Sequence, residues 1–155
     1  ITAGGTTRGC IIPPLPHSAL TFTPHKQTGG RMNPLTDGQK ELIRANWQLI
    51  REKGLKECAI DMFCRLFTAH PDLMPLFSFA DKETVEELRT SPRLARHAAG
   101  VFRVVDGAVD KLDDLLNVAP TLVALGGRHF KYGIKPDHFG PVGEALMATL
   151  TDVCG

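Results

Sequence analysis

Two histidines, His97 and His129, are the residues of this chain whose type and spacing could carry metal chemistry. Each falls on an apolar stripe of helical period, because apolar residues recur three or four positions away from it. The stripe of His97 contains Leu94, Val101, Val104, Ala108 and Leu112, and that of His129 contains Leu122 and Leu125. Two imidazoles pointing inward from facing helices can bind the two sides of a flat, metal-centred cofactor. The arrangement therefore indicates haem.

The two histidines are predicted to lie on separate helices, because a polar segment falls between their stripes. That segment contains Asp113, Asp114, Asn117 and Pro120. Upstream, Ser91 followed by Pro92 is typical of a helix start, with serine as the N-cap and proline in the first helical position. This pair is expected to begin the long helix that carries His97.

Similar signals predict the other helices. Thr36 and Gln39 form a capping box that starts the first helix, which ends near Gly54. The second helix ends at Pro71, and its apolar face consists of Ala59, Met62, Phe63, Leu66 and Phe67. A weaker helix covers residues 83–89, and the last has an apolar stripe made of Phe139, Val142, Leu146 and Val153. No segment shows sustained period-two alternation, so the sequence predicts an all-α fold.

Composition is typical of one ordinary globular domain with a tail. The 155 residues are 43% hydrophobic and 23% charged, with a net charge of +1, which gives no reason to expect a nucleic-acid or membrane partner. Residues 1–34 are rich in Gly, Pro and Thr and lack periodicity. We expect them to be a disordered tail or a segment upstream of the natural start, and we assign residues 35–155 to the domain.

The four cysteines form no C-x-x-C pair, which favours reduced thiols in a cytoplasmic protein.

Several short motifs follow one another between residue 35 and the C-terminus. They are Trp47, the pair Phe63 and Phe67, the run His70-Pro71-Asp72-Leu73-Met74-Pro75-Leu76-Phe77, then Ser91-Pro92-x-Leu94-x-x-His97, Leu125-x-x-x-His129 and Tyr132-Gly133-Ile134. The two histidines are 32 residues apart. In order and spacing these motifs resemble the globin family, and within it the neuroglobin-like members. The resemblance implies a globin fold, with helices packed around a haem pocket.

The resemblance also implies a role for each matching residue. His129 matches the proximal histidine that bonds the iron, and His97 matches the distal histidine on the other face of the ring. Phe77 matches the aromatic residue wedged against the porphyrin, while Phe63 and Val101 match apolar residues that bound the ligand space. The implied lining of the proximal side and edge is Leu125, Tyr132, Ile134 and Phe139. Because no C-x-x-C-H motif is present, the cofactor is expected to be haem b, held without thioether links.

Two departures from the family pattern modify these expectations. Gly100 stands where neuroglobins carry a basic residue toward a haem propionate, which leaves Arg96, Arg128 and Lys131 as substitutes. The chain also stops at the end of what corresponds to the penultimate globin helix, so the final helix is missing. We therefore expect a truncated globin domain whose last apolar stripe needs a partner helix, and which holds haem poorly by itself.

The leading functional hypothesis is reversible binding of O₂, CO and NO, for oxygen transport or storage and without catalysis. One alternative is an enzyme for nitric-oxide dioxygenation or nitrite reduction, served by a reductase, and another is a gas or redox sensor. The sequence does not separate these hypotheses, because each needs the same two histidines. It also leaves open whether His97 bonds the iron in the resting state, and what the oligomeric state is. A helical interaction module without haem is the remaining hypothesis.

Overall fold

The regular elements of the computed structural model are helices throughout its described range, residues 34–155. The α-helices are α1 (Asp37–Lys53), α2 (Leu55–Ala69), α3 (Val85–Thr90), α4 (Pro92–Asp110), α5 (Ala119–Lys131) and α6 (Phe139–Cys154). Short 3₁₀ helices cover Pro71–Leu76, Leu115–Asn117 and Pro136–His138. The predicted all-α class is confirmed. The tail predicted over residues 1–34 lies outside the described residues, except for Pro34.

Local capping signals set the starts of α1 and α4. The Thr36 hydroxyl accepts a hydrogen bond from the Gln39 amide, and the Gln39 side chain accepts one from the Thr36 amide at 2.9 Å. Gly54 ends α1 with a φ of 114°, a backbone conformation that only glycine adopts easily. Ser91 caps α4, and Pro92 occupies its first turn. The predicted boundaries of α1 and the predicted start of α4 are therefore confirmed.

The weak helix predicted over residues 83–89 begins two residues later in the structure and ends one residue later. Helix α3 begins at Val85, because Thr84 and Glu87 form a second capping box. The Thr84 amide donates a 2.8 Å hydrogen bond to the Glu87 carboxylate, and the Thr84 hydroxyl accepts one from the Glu87 amide. This reciprocal pair fixes Thr84 as the N-cap, so residue 83 stays outside the helix.

Helix α2 is the centre of the hydrophobic core. It packs against α4 and α6, and its buried residues are Cys58, Ala59, Met62, Phe63, Cys64, Leu66 and Phe67. Trp47 and Ile50 of α1 and Leu94, Ala98 and Phe102 of α4 join the same buried cluster. Full burial of one large apolar side chain contributes about 1.5–3 kcal/mol. The core therefore fixes α4, the helix that carries His97, firmly against α2.

The apolar stripe expected to be uncovered on the last helix is partly covered. Val142, Leu146 and Val153 are partly buried and pack against the core, because α6 lies across α1 and α2, whereas Phe139 is 49% exposed. The need for a further partner helix stays a prediction. Helix α5 instead has no buried residue, and its main packing partner among the described elements is the 3₁₀ helix that precedes it. Exposed apolar side chains on and just after α5 are Leu122, Val123, Phe130 and Tyr132.

Within residues 34–155, no helix combines the length and the apolar content that a membrane crossing requires.

Candidate functional site

His97 lies on α4 with phenylalanine rings on several sides. The centroid of its imidazole is 5.2 Å from that of Phe63 and 5.6 Å from that of Phe77, and both pairs meet edge to face. Phe79 makes a third aromatic contact, at 5.4 Å. These distances lie in the range of favourable aromatic pairing, so the imidazole is held in an apolar cage.

The cage determines the charge state of His97. Burial lowers the pKa of its imidazole, because a charged ring would lose its hydration there, and the nearby His129 lowers the pKa further by charge repulsion. The imidazole is therefore neutral near pH 7, with a free electron pair on one nitrogen.

His129 is oriented by its own helix. Its Nδ1 lies 2.9 Å from the carbonyl oxygen of Leu125, one turn earlier in α5. A carbonyl oxygen can only accept, so Nδ1 is the donor of this bond, and in the neutral form of the ring Nε2 is the nitrogen with the free electron pair. A hydrogen bond of this kind fixes the ring orientation and tautomer of a metal-binding histidine and raises its basicity. The ring of Phe139 lies 5.6 Å from that of His129.

The other predicted site residues divide between the two sides of the site. On the His97 side, Phe63 is fully buried and Phe77 and Val101 are partly buried against the core. On the His129 side, burial is lower throughout. Leu125 and Ile134 are partly buried, Phe139 is 49% exposed and Tyr132 is 77% exposed. The structure thus brings Phe63 and Phe77 to His97 and Phe139 to His129, whereas Tyr132 faces largely outward.

Phe79 is the contact of His97 that sequence reasoning missed. It lies in the connection between the first 3₁₀ helix and α3, where no helical period exists to assign it a face. One signal for an inward position was available in the sequence: Phe79 follows Phe77 by two residues, and the residue between them, Ser78, is polar and exposed.

The side chains that could bind a metal here suit one that is already held in an organic ring. Among residues 34–155, no group of three or more His, Cys, Asp and Glu side chains could hold a bare metal ion. A protein-bound metal usually takes three or four protein ligands, whereas porphyrin iron needs one or two axial ligands from the protein. One half-buried imidazole, His97, and a second imidazole, His129, whose ring is oriented by its own helix match the second requirement, so the residues present fit haem.

Two surface clefts elsewhere do not compete with this site. One of about 250 Å³ lies among α2, α3 and α6 and is lined in part by Asp61, Arg89 and Thr149. The other, of about 230 Å³, lies between α2 and α6 near His70 and Glu144. Neither includes His97 or His129, and both have mixed charge.

Comparison with known proteins decides the family. The globin family model matches residues 60–155. This chain is a globin. It is 35% identical over 120 residues to neuroglobin of Tetraodon nigroviridis and equally to neuroglobin-1 of Oncorhynchus mykiss, covering 77% of the chain and 75% of each relative. The predicted neuroglobin-like resemblance is confirmed, and globins are a family that holds haem iron through a histidine.

A solved structure shows the same fold. The crystal structure of a hexacoordinated haem protein from an anhydrobiotic tardigrade, at pH 4, superposes on this globin with a TM-score of 0.71. The two chains are 24% identical, and the match covers 77% of each. The predicted globin fold is confirmed over this range.

Proposed function

We propose that this globin binds one haem b, whose iron His129 of α5 would hold. The observation that carries the proposal is the hydrogen bond between His129 Nδ1 and the Leu125 carbonyl. It holds a proton at Nδ1, so Nε2 would be the atom that binds the iron. Haem would supply an iron that can bind a diatomic gas. Leu125, Ile134 and Phe139 are the proposed lining on this side, whereas Tyr132 is 77% exposed in the structure.

His97 is the proposed partner on the opposite side. Its neutral imidazole can use its electron pair as a second axial ligand, or it can donate its N–H to a polar gas molecule. The surrounding side chains of Phe63, Phe77 and Val101 exclude water from this side. Exclusion of water protects ferrous iron from oxidation, which reversible gas binding requires.

Reversible binding of O₂, CO and NO, for oxygen storage or transport, is the function that this site supports best. The aromatic surround of His97, made of Phe63, Phe77 and Phe79, supports this choice. An apolar pocket favours binding of a small gas over chemistry that needs a supply of protons. We place the globin among gas binders for this reason.

His129→Ala tests the haem assignment. We expect the variant to lose most haem uptake, seen as loss of the Soret band after addition of haem to the purified full chain. His138→Ala is the matched control, because the His138 side chain accepts a hydrogen bond from the nearby Lys135 amide and makes no other hydrogen bond among the described residues. Full haem content and an unchanged spectrum in His129→Ala would show that another residue holds the iron. A parent chain without any Soret band would favour the haem-free interaction module.

The ferrous, ligand-free spectrum tests the role of His97. We expect low-spin bands in the parent and high-spin bands in His97→Leu if His97 bonds the iron. A high-spin parent would restrict His97 to hydrogen-bond donation.

A further inference from the structure

A short turn, residues 77–80, places two phenylalanine rings against His97. Phe77 and Phe79 lie 5.6 and 5.4 Å from the imidazole centroid and 5.6 Å from each other. Phe63 of α2 contacts the same imidazole from within the buried core. The imidazole is thus bordered by one ring from a helix and two from the turn.

The turn is fixed to the rest of the molecule. The Ala80 amide donates a 2.8 Å hydrogen bond to the Phe77 carbonyl, which closes the turn, and the Ala80 side chain is buried in the core. Lys82 then adopts a left-handed conformation with a φ of 66°, where the chain redirects into α3. These constraints hold Phe79 beside His97.

Phe79 differs from the other two rings in its neighbours. Phe63 and Phe77 also contact Phe67 of the core, at 5.9 and 5.1 Å, so moving either ring disturbs the core. Within the described residues, the aromatic neighbours of Phe79 are Phe77 and His97 alone. A tightly packed side chain changes rotamer only when a neighbour moves. Phe79 is partly buried against the core, but among the three rings it is the one whose truncation leaves the contacts with Phe67 intact.

We propose that Phe79 is a positioning residue that keeps the His97 imidazole turned inward and limits how often it leaves the site. Phe79 has no polar atom, so it acts on His97 through packing alone. The proposal rests on the proposed function, because the space that His97 vacates is the proposed gas site. Whether His97 bonds the iron or blocks the pocket, a gas molecule then binds faster when Phe79 is removed.

CO binding after flash photolysis of the haem-loaded full chain tests the proposal. We expect Phe79→Ala to accelerate CO binding about three- to tenfold, the factor that corresponds to one lost aromatic pair. Phe79→Leu should give a smaller acceleration, and it covers the case in which the alanine variant does not fold. Phe79→Tyr should restore the parent rate, and Leu42→Ala, an exposed position on α1, is the control for an unrelated apolar truncation. An unchanged rate in Phe79→Ala and Phe79→Leu overturns the proposal.

A double-mutant cycle separates positioning from simple obstruction. In the His97→Leu background, Phe79→Ala should leave the CO binding rate unchanged, because the side chain that Phe79 positions is gone. If the acceleration persists in that background, Phe79 obstructs the gas directly and the positioning role is wrong.

Nuclear magnetic resonance of the haem-free full chain gives a readout that does not depend on haem. We expect a cross-relaxation signal between the rings of Phe79 and His97 and a single χ1 rotamer of His97, which becomes averaged in Phe79→Ala. An averaged rotamer in the parent overturns the positioning role. A chain that takes up no haem refutes the proposed function instead, and the rotamer measurement still decides the role of Phe79.

Discussion

The Asp106 side chain joins α1 to α4. Removing it should destabilise the fold more than removing any other side chain that forms an ion pair between these two helices. Its carboxylate accepts a 2.7 Å hydrogen bond from the indole N–H of Trp47 and another of 2.7 Å from Nε of Arg51. Trp47 is only 3% exposed and packs on Phe102 of α4. Asp106→Ala therefore leaves a buried donor without an acceptor.

The cost of Asp106→Ala follows from the two lost interactions. A buried donor without a partner costs about 1–3 kcal/mol. The pair with Arg51 is partly exposed and adds about 0–1 kcal/mol. The free energy of unfolding should therefore fall by about 1–4 kcal/mol, a large share of the 5–15 kcal/mol that is typical of a domain.

Asp110→Ala is the matched control for this experiment. Asp110 also pairs with Arg51, through Nη2 at 2.7 Å, but its side chain is 59% exposed and it makes no bond to Trp47. Urea unfolding of the haem-loaded chain, followed by circular dichroism, should show a loss of at most about 1 kcal/mol for Asp110→Ala. Equal losses in the two variants would refute the argument that the buried indole determines the effect.

The same carboxylate should make stability depend on acid. Burial raises the pKa of Asp106, but the hydrogen bonds from Trp47 and Arg51 outweigh it, so the pKa in the folded chain lies below its ordinary value. Asp106 therefore binds a proton more readily in the unfolded chain than in the folded chain. The contribution of Asp106 is complete above the ordinary aspartate pKa and is lost as the pH falls below about 4. The melting temperature should fall less steeply below this pH in Asp106→Asn than in the parent, and parallel curves would contradict the assignment.

Three further predictions concern a turn, a surface and the thiols. Gly54→Ala should lower the free energy of unfolding by about 1–3 kcal/mol, because the φ of 114° at this position is strained for alanine. Gly38→Ala is the control: this position of α1 has open space around it, so the substitution should be neutral or stabilising in the same thermal melts. Phe130→Ser should change stability by less than about 0.5 kcal/mol and raise the solubility limit, since Phe130 is 79% exposed; a large loss would mean that α5 packs more tightly than described. Burial raises the pKa of the Cys58 and Cys64 thiols, so both should react with iodoacetamide only after unfolding. Rapid labelling of either of these two thiols in the native chain, located by peptide mapping, would contradict this.

Features encoded within a few residues of sequence could be predicted. The caps of α1 and α4 depend on side chains that bond their own backbone three residues away, so Thr36 and Ser91 identify the helix starts directly. The capping box of Thr84 and Glu87 follows the same rule, and it was available in the sequence although the predicted start of α3 lay earlier. Local bonding needs no knowledge of the tertiary fold.

Contacts between distant residues could not be predicted in the same way. Asp113 has the sequence surroundings of a solvated acid, yet it pairs with Lys40 and Arg44 of α1. Such pairs depend on how α1 crosses α4, and neither sequence segment contains that information by itself. Helix periodicity has the same limit. It identifies Leu122 as part of an apolar stripe, but it does not say what covers the stripe, and in the structure Leu122 is exposed.

The two sides of the candidate site illustrate this difference between local and distant determinants. The orientation of His129 comes from the Leu125 carbonyl of the same helix, four residues earlier, so a histidine at this position in any regular helix could adopt it. The surroundings of His97 come from three phenylalanines on two other parts of the chain, which only the packing of α2, α4 and the turn at residues 77–80 brings together. The His97 side is therefore built by the core, whereas the His129 side has little core contact. A planar cofactor between them would supply α5 with the apolar packing that the described protein elements do not provide.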